Sequence, residues 1–442
     1  MKRVLRFSVL IVLLWLAAAG AADEGHHAAV SPDGKARLFY LDGVRVLQLS
    51  GSHYEMGYNH GYLLAREIMD MITVYGFFVV DYFGLDYDEL LVKQKQFAWG
   101  EYGPELEGML AGLRAALPPE KLLIAPPGKA PHAVGLDDLK GMNTMGDWLA
   151  GLVSCSSFSV WGKGRADGST LLARNFDWLI DPGNVAMDRQ VVIAYAPDYG
   201  PHWVNVTMAG DLGCISGMNE YGASAMIHVS LNGYPPTDDA GFVPGTLALR
   251  RVIESLRPAS TPAAALPPLR DAPQMGQYLY HLCFPAPGRA DDDVAGVFEY
   301  DGNGRHRDGY VTYRRPADNP RLPRNRFRDQ RLDYTNTLIN VNHYLKRKTE
   351  IPQLYSSGRY LTIKWMLPKA KADGNVEVDE ARDIMAAVGY QPSLFMGPWI
   401  TLHTVVFEPQ TRRLHLFLAQ DGRPGYDGKR FDAPFEAFFA AQ

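Results

Sequence analysis

The spacing of apolar and polar residues divides the chain into a helical first third and a remainder dominated by strands. Residues 36–50 alternate in character and predict two strands joined by a turn. Ser52 and Glu55 then form a capping-box pattern, which marks the start of a helix. Apolar residues follow at helical spacing as far as Tyr82. The pattern therefore predicts a strand hairpin that leads into a long amphipathic helix.

Two more helices are predicted over 86–116 and 136–150, separated by a connector rich in proline and glycine. Alternating segments then dominate, with one helical patch at 245–257. The predicted strands are 156–160, 191–195, 203–208, 223–229, 294–300, 309–313, 399–407 and 413–419. Helices that precede strands fit a layered α+β sandwich better than alternating βαβ units.

Composition and charge exclude some classes of function. The chain has 442 residues, of which 47% are hydrophobic and 21% are charged, as in ordinary globular proteins. This length suits one large domain or two modest ones. The net charge is −5 and no block rich in Lys and Arg occurs, which argues against nucleic acid as the main partner.

The first residues have the pattern of a cleavable signal peptide, predicted to span 1–21. Lys2, Arg3 and Arg6 precede an apolar run over 7–18, and small residues follow at 19–21. The alternative is an uncleaved anchor, although the apolar run is short for a membrane span. No second run of about 18 apolar residues occurs. We therefore expect a secreted or periplasmic protein without a stable membrane span.

The chain has three cysteines, Cys155, Cys214 and Cys283. An odd number leaves at least one thiol unpaired, and a bridge between Cys214 and Cys283 or buried free thiols both remain open. No Cys-x-x-Cys or His-Glu-x-x-His spacing occurs, so the sequence predicts neither a zinc site nor another cofactor.

Cys155 is the strongest candidate for chemistry, because it opens a predicted strand and a hairpin through residues 167–168 brings the next strand back beside it. That second strand carries Arg174 and Asp177. Positions i and i+3 of a regular strand point to opposite faces, so both reach one thiol only if a bulge lies near Asn175. The alternative is an ordinary ion pair at a strand end.

A thiol attacks a carbonyl well only when a base removes its proton. No histidine lies near Cys155 in the sequence, although a distant one could approach in the fold. The other solution is the α-amine of the cysteine itself, with a pKa near 8, released when the preceding peptide bond is cut.

The block 155–178 resembles the N-terminal nucleophile (Ntn) hydrolases of the isopenicillin-N acyltransferase (acyl-coenzyme A:6-aminopenicillanic acid acyltransferase) family. These are relatives of choloylglycine hydrolases, penicillin V acylases and acid ceramidase. Four further segments look like motifs of that family in the same order: 51–61, 142–148, 217–222 and 341–344. The resemblance implies a four-layer αββα sandwich with two stacked antiparallel sheets.

The resemblance also implies roles for individual residues. Cys155 would be the nucleophile and, after scission of the Ser154–Cys155 bond, its own base. Arg174 would lie beside the thiolate and help to keep it ionised, and Asp177 would bind the new α-amine. Many members of the family have glycine before the nucleophile, whereas this chain has Ser154, which puts the efficiency of scission in question.

Three more positions receive roles from the same resemblance. Asn219 would donate its amide to the oxyanion, and Asn342 would orient the base amine. Arg359 would complete a polar network around them. His343 resembles a structural histidine of the family; a papain-like protease would instead require it for catalysis.

The implied protein is an exported amidase or acyltransferase that cuts itself into segments 22–154 and 155–442, which stay associated. It would form a thioester on Cys155 from a small-molecule amide or acyl substrate, and the methionine- and aromatic-rich first helices would accept an apolar acyl chain. Two alternatives remain: a phospholipase B-like lipid esterase on the same fold, and an uncleaved binding protein without activity.

Overall fold

The computed structural model describes residues 28–148, 154–230, 233–324, 329–347, 354–393 and 397–440. The predicted signal peptide over 1–21 lies outside the described residues. The strands are β1 Ala29–Val30, β2 Ala36–Leu41, β3 Val44–Gly51, β4 Leu123–Ile124, β5 His132–Ala133, β6 Ser154–Gly162, β7 Gly168–Leu179, β8 Gln190–Pro197, β9 Trp203–Met208, β10 Ser216–Asn219, β11 Ser224–Val229, β12 Tyr278–Cys283, β13 Ala295–Tyr300, β14 Val311–Arg314, β15 Thr337–Asn340, β16 Trp399–Glu408, β17 Arg413–Leu418 and β18 Arg430–Pro434.

The helices of the described residues surround these strands. They are α1 His53–Leu63, α2 Ala65–Asp70, α3 Phe77–Tyr82, α4 Tyr87–Lys93, α5 Gly103–Ala116, α6 Leu136–Trp148, α7 Val185–Asp188, α8 Gly245–Ser255, α9 Leu266–Arg270, α10 Leu354–Ala370 and α11 Val378–Ala386. A π-helical turn, Met71–Gly76, joins α2 to α3.

Two large sheets form the centre of the fold. The first has ten strands in the order β1-β2-β3-β8-β9-β10-β11-β12-β13-β14, and the second has six in the order β15-β6-β7-β16-β17-β18. Neighbouring strands are antiparallel, except that β3 and β8 of the larger sheet run parallel. The expectation of two antiparallel sheets is therefore confirmed with this one parallel pair.

The apolar side chains fall into three clusters that define four layers. Trp161 of the smaller sheet and Val204 of the larger one share the cluster between the sheets. Helices of the first segment and α8 cover the outer face of the ten-stranded sheet, where Leu106 and Val252 are buried. Helices α10 and α11 cover the outer face of the six-stranded sheet, with Ile363 buried there. The predicted αββα sandwich is confirmed.

Helices α1 and α5 pack with their backbones in contact. Gly57 and Gly61 of α1 face Gly108 and Gly112 of α5. A Cβ atom added at Gly57 would lie 1.9 Å from the carbonyl oxygen of Glu105. A Cβ atom added at any of the other three glycines would lie 2.0–2.2 Å from a backbone carbonyl oxygen of the facing helix. Glycine is thus required at this crossing by space, because no larger residue permits so close an approach.

The local predictions for the first segment are partly confirmed. The hairpin over 36–50 is present as β2 and β3, and the Ser52–Glu55 capping box begins α1 at His53. The single helix predicted over 86–116 is wrong: α4 ends at Lys93 and α5 begins at Gly103. Two short 3-10 turns separate them, and a proline in the first turn of α5 cannot donate the amide that a continuous helix needs.

The three cysteines are free and buried. Cys214 lies in the cluster between the ten-stranded sheet and the helices, whereas Cys283 lies in the cluster between the two sheets. The alternative of a Cys214–Cys283 disulfide is therefore wrong, since a sheet separates the two thiols.

A helix must be both long and predominantly apolar to cross a membrane. Among the described residues, no single helix meets both requirements. The segments 65–82 and 87–96 meet them only when taken together, and the chain bends by 101° between them.

Candidate active site

Cys155 is the second residue of β6 and pairs with Phe176 of β7. The two strands form the hairpin predicted from the sequence, with Gly168 as the first residue of β7. The Cys155 side chain is 2% exposed and borders an internal cavity. The hairpin thus buries the thiol near the first residue of β6. Backbone pairing with β7 holds the residues on either side of it.

Arg174 of β7 donates from Nη2 to the Cys155 sulfur at 3.2 Å. Its remaining donors are fixed by the carbonyl oxygens of Ile215 and Ile227, at 2.5 and 2.7 Å, and by the hydroxyl of Ser216 at 2.6 Å. No carboxylate of the described residues forms an ion pair with this fully buried guanidinium. Its positive charge is therefore directed at the thiol, the position at which a thiolate would be stabilised.

Burial nevertheless raises the pKa of the Cys155 thiol, and Arg174 opposes this effect while the charge of Asp177 adds to it. The uncut chain thus holds a protonated thiol at neutral pH, and the help that Arg174 is expected to give a thiolate stays a prediction. A thiol in this environment needs a base before it can attack a carbonyl.

Asp177 lies on the other face of β7 from Arg174, and β6 and β7 pair without the bulge expected near Asn175. The irregularity is in the pairing of β7 with β16, where the register shifts between Thr401 and His403, opposite Asp177 and Phe176. The pairing of β6 with β7 is regular from Ser154 to Trp161, so positions 174 and 177 point to opposite sides. The Asp177 Oδ1 atom accepts from the Thr401 hydroxyl at 2.6 Å. Burial raises the pKa of Asp177 to about 7, with nearby arginines and Thr401 acting against it.

Asn342 follows β15 and forms hydrogen bonds to the residues on both sides of the Ser154–Cys155 bond. Its Oδ1 atom accepts from the Cys155 backbone amide at 2.8 Å, from the Ser154 hydroxyl at 3.1 Å and from Nη2 of Arg359 at 2.5 Å. Its Nδ2 atom donates to the carbonyl oxygen of Val229 at 2.6 Å. The amide is thereby fixed between the two sheets.

Arg359 of α10 holds the other side of the cysteine. Its Nη1 atom donates to the Cys155 carbonyl oxygen at 2.7 Å and to the Ser156 hydroxyl at 2.6 Å. The same nitrogen lies 3.9 Å from Oδ2 of Asp177. The structure therefore places Cys155, Arg174, Asp177, Asn342 and Arg359 close to one another, and the roles expected for them stay predictions.

Asn219 is the exception, and the structure does not bring it to the thiol. It ends β10, where its Oδ1 accepts from the amides of Tyr221 and Ala223, both at 3.1 Å. Its Nδ2 donates to the carbonyl oxygens of Ile253 and Leu256 at 3.2 and 3.4 Å. The side chain is used to shape the β10–β11 turn and tie it to α8, so this geometry gives no support to the oxyanion role expected for it.

His343 is likewise engaged away from the thiol. Its Nδ1 pairs with the Ser356 hydroxyl at 2.8 Å, and its Nε2 pairs with the side chain of Gln330. These contacts fit the structural interpretation of this histidine better than the papain-like one.

A cavity of about 80 Å³ opens beside the Cys155 sulfur. Its apolar walls come mainly from α6, β7 and the turn that joins α2 to α3, and include Met71, Met142, Met145, Phe176, Trp178 and Met208. Two carboxyl groups, of Asp147 and Asp211, also line it. Of the aromatic and methionine residues expected to form a groove in the first helices, Met71 and Tyr75 line this cavity.

Some residues at the site carry no signal in the sequence. The Tyr390 hydroxyl donates to the Ser154 hydroxyl at 2.9 Å, although these residues are 236 positions apart. Thr401 contacts Asp177 across 224 positions, and Ser216 contacts Arg174 across 42. Asp147 lies within the segment 142–148 that resembles a family motif, but nothing in that motif assigns it a role.

Comparison with known proteins gives distant likenesses. No protein-family model matches the chain. An uncharacterized protein of Archaeoglobus fulgidus is 24% identical over 417 residues, which cover 86% of this chain and 64% of that protein. The chain thus spans less than two thirds of the length of this curated relative.

Three solved structures are similar to parts of the fold. One is the Caenorhabditis elegans ortholog of N-acylethanolamine-hydrolyzing acid amidase, with 14% identity, coverage of 63% of this chain and 100% of that one, and a TM-score of 0.36. A mutant of the conjugated bile acid hydrolase from Clostridium perfringens has 12% identity, coverages of 64% and 93%, and a TM-score of 0.41. Penicillin V acylase from Agrobacterium tumefaciens has 13% identity, coverage of 63% of this chain and 86% of that one, and a TM-score of 0.36. These scores are too low to carry an argument about activity, which rests on the site itself.

Proposed function

We propose that this chain is an exported, self-processing cysteine hydrolase of the Ntn type that cleaves a non-peptide amide with an apolar acyl chain. The acyl group passes to Cys155 as a thioester and then to water or to an acceptor amine. One observation carries the proposal: Asn342 holds the Cys155 backbone amide while Arg174 contacts its thiol, at the edge of an apolar cavity.

Self-processing begins at the Ser154–Cys155 bond. The Cys155 sulfur attacks the Ser154 carbonyl carbon, the C–N bond breaks, and the former amide nitrogen takes up the proton that the thiol loses. Water then hydrolyses the thioester, which leaves a carboxylate on Ser154 and a free α-amine and thiol on Cys155. This amine remains beside Asn342 and supplies the base that the buried thiol lacks before scission.

Amide turnover uses the same atoms a second time. The α-amine accepts the thiol proton, the sulfur attacks the substrate carbonyl, and the leaving amine takes the proton from the cysteine ammonium. Arg174 stabilises negative charge on the sulfur at both stages, while Arg359 and Asn342 keep the cysteine backbone in place. Apolar cavity walls favour a hydrocarbon acyl group over a charged peptide chain.

Intact mass measurement and N-terminal sequencing of the purified protein test the proposal. We expect the wild type to yield a fragment that begins Cys-Ser-Ser-Phe, associated with the preceding segment, and the Cys155→Ala variant to remain a single polypeptide. An active wild-type protein that is continuous across positions 154 and 155 contradicts self-processing as the source of activity.

Substrate assays then separate amide hydrolysis from the other functions that fit this fold. We expect release of decanoate from an N-decanoyl amine, and labelling of Cys155 by a thiol-reactive acyl probe. Preferential hydrolysis of lysophospholipid would instead assign a lipid esterase. An uncut, unlabelled protein would assign a binding function, and loss of activity in His343→Ala with normal processing would favour a papain-like mechanism.

A further inference from the structure

The cavity beside Cys155 contains two acidic side chains that amide hydrolysis by the thiol does not use. Asp147 is at the end of α6 and is buried, and Asp211 is in the loop between β9 and β10. Both line the same cavity as the Cys155 sulfur and Arg174. Two carboxyl groups in a largely apolar pocket are costly unless a cation or a hydrogen-bond donor meets them.

Neither carboxyl group has a cationic partner among the described residues. The Asp147 Oδ1 atom accepts from the Tyr278 hydroxyl at 2.6 Å and from the Gly245 amide at 3.2 Å. Asp211 accepts from the Thr207 hydroxyl at 3.0 Å. Burial raises the pKa of Asp147 to about 7 and that of Asp211 to about 6, and no basic side chain opposes either shift.

Two hydrogen bonds from distant parts of the chain hold the Asp147 carboxyl. Its Oδ1 atom receives both, from Tyr278 and from Gly245. Tyr278 and Gly245 orient the carboxylate, because they belong to β12 and to the start of α8, which are parts of the rigid sheet layer. Such an arrangement presents a fixed acceptor to the cavity, as recognition of an ammonium group requires.

We propose that Asp147 and Asp211 bind an ammonium group of the substrate, so that the enzyme acts on amides that join an apolar acyl chain to an amine carrying a second, protonated nitrogen. This inference names the substrate class of the proposed hydrolase and rests on that function. The methionine side chains hold the hydrocarbon, and the two carboxylates hold the cationic end.

A pair of matched amides tests the substrate class. N-decanoyl-1,4-diaminobutane carries a terminal ammonium, and N-decanoyl-pentylamine replaces it with a methyl group of similar size. We expect the processed wild type to prefer the cationic amide in kcat/KM by about tenfold or more, as one charge-assisted hydrogen bond allows. In Asp147→Asn and Asp211→Asn we expect this ratio of the two kcat/KM values to fall toward one.

Asp138→Asn is the matched control for the substitution at position 147. Asp138 is on the same helix and also accepts from a tyrosine hydroxyl, that of Tyr87 at 2.6 Å, but it does not line the cavity at the thiol. The control variant keeps the wild-type preference. Equal use of both amides by the wild type, or a preference that survives in both the Asp147 and Asp211 variants, overturns the inference.

A binding measurement separates this inference from the proposed function. Octylammonium and 1-octanol differ in charge and need no catalysis. Calorimetric titration of the wild type and of Asp147→Asn at pH 8, above the raised pKa values of both carboxyl groups, therefore reports what the Asp147 carboxylate adds to binding of the charged ligand. We expect tighter binding of octylammonium by the wild type and loss of that difference in Asp147→Asn. If octylammonium binds more tightly in this way but no amide is hydrolysed, the cation site is supported and the proposed hydrolase reaction is wrong. If amides are hydrolysed without any preference for charge, the hydrolase reaction is supported and the cation site is wrong.

Discussion

The Oδ1 atom of Asn342 accepts the backbone amide of Cys155 at 2.8 Å, across 187 positions of sequence. This hydrogen bond connects the loop after β15 to the start of β6, and the same oxygen also accepts from Ser154 and Arg359. A single side chain therefore holds the bond that we propose is cut and the nitrogen that would become the base.

We predict that Asn342→Ala slows both self-processing and amide turnover by about 10- to 100-fold, because it leaves buried donors without an acceptor. Asn342→Asp retains the oxygen and should process faster than the alanine variant. The measurements are the rate at which the 155–442 fragment appears and the kcat/KM for amide hydrolysis of the cleaved protein. Normal rates in the alanine variant would show that this hydrogen bond has no function in the reaction.

Asp177 provides a prediction about pH and stability. Its pKa is raised to about 7 in the uncut fold from 3.8, so the folded chain holds a proton at pH values where the unfolded chain has lost it. The stabilisation from this group is fully present below pH 3.8 and is lost as the pH rises through 7, by at most about 4 kcal/mol.

The check is urea-induced unfolding of Cys155→Ala with and without Asp177→Asn at pH 5 and pH 8. We expect the asparagine variant to gain stability relative to its parent at pH 8 and to change little at pH 5. Asp147→Asn serves as a second probe, since burial also raises the pKa of Asp147 to about 7. An identical pH dependence in parent and Asp177→Asn would show that this carboxyl is ionised in the uncut fold.

Tyr390 yields a prediction that separates scission from turnover. Its hydroxyl positions Ser154, which occupies the place where glycine would give the chain more freedom. We predict that Tyr390→Phe slows self-processing by about 2- to 10-fold, the cost of one neutral hydrogen bond, while kcat/KM of the processed enzyme stays close to wild type.

Tyr334→Phe is the control, because the Tyr334 hydroxyl has no hydrogen-bond partner among the described residues. The two variants are compared by the half-time of fragment appearance after synthesis. Equal half-times in Tyr390→Phe and Tyr334→Phe would indicate that the Ser154 hydroxyl needs no positioning.

The crossing of α1 and α5 gives a prediction about folding. Gly57→Ala places a methyl group 1.9 Å from the carbonyl oxygen of Glu105, so the helices must separate. We expect a loss of at least about 2 kcal/mol of stability, as for other overpacked sites. Gly358→Ala is the control: it also lies in a helix, nothing lies within 4 Å of its added Cβ, and alanine there should be neutral or stabilising. The measurement is thermal unfolding of both variants. Equal melting temperatures for Gly57→Ala and Gly358→Ala would contradict the backbone contact between α1 and α5.

Elements with local causes can be predicted from the amino-acid sequence. The capping box of Ser52 and Glu55, the hairpin that pairs Cys155 with Phe176, and the hairpin of β16 and β17 follow from turn residues and alternation over short distances. The choice of Cys155 as the reactive residue was also possible from its position at the start of a strand. The helical spacing of apolar residues over 86–116 nevertheless predicts one helix where the structure has two. The break, at a 3-10 turn and a proline, is also a local feature of the sequence.

The distant side chains that meet at the thiol are known only from how the layers of the fold pack. Tyr390 and Asp147 reach the site because two sheets stack and α6 covers the cavity, and no spacing along the chain encodes those separations. The same packing removed Asn219 from the group, since its amide is consumed by the turn and by α8. Hydrogen bonds between buried groups depend on how whole layers pack, and a sequence specifies that packing through hundreds of weak contacts rather than through any one motif.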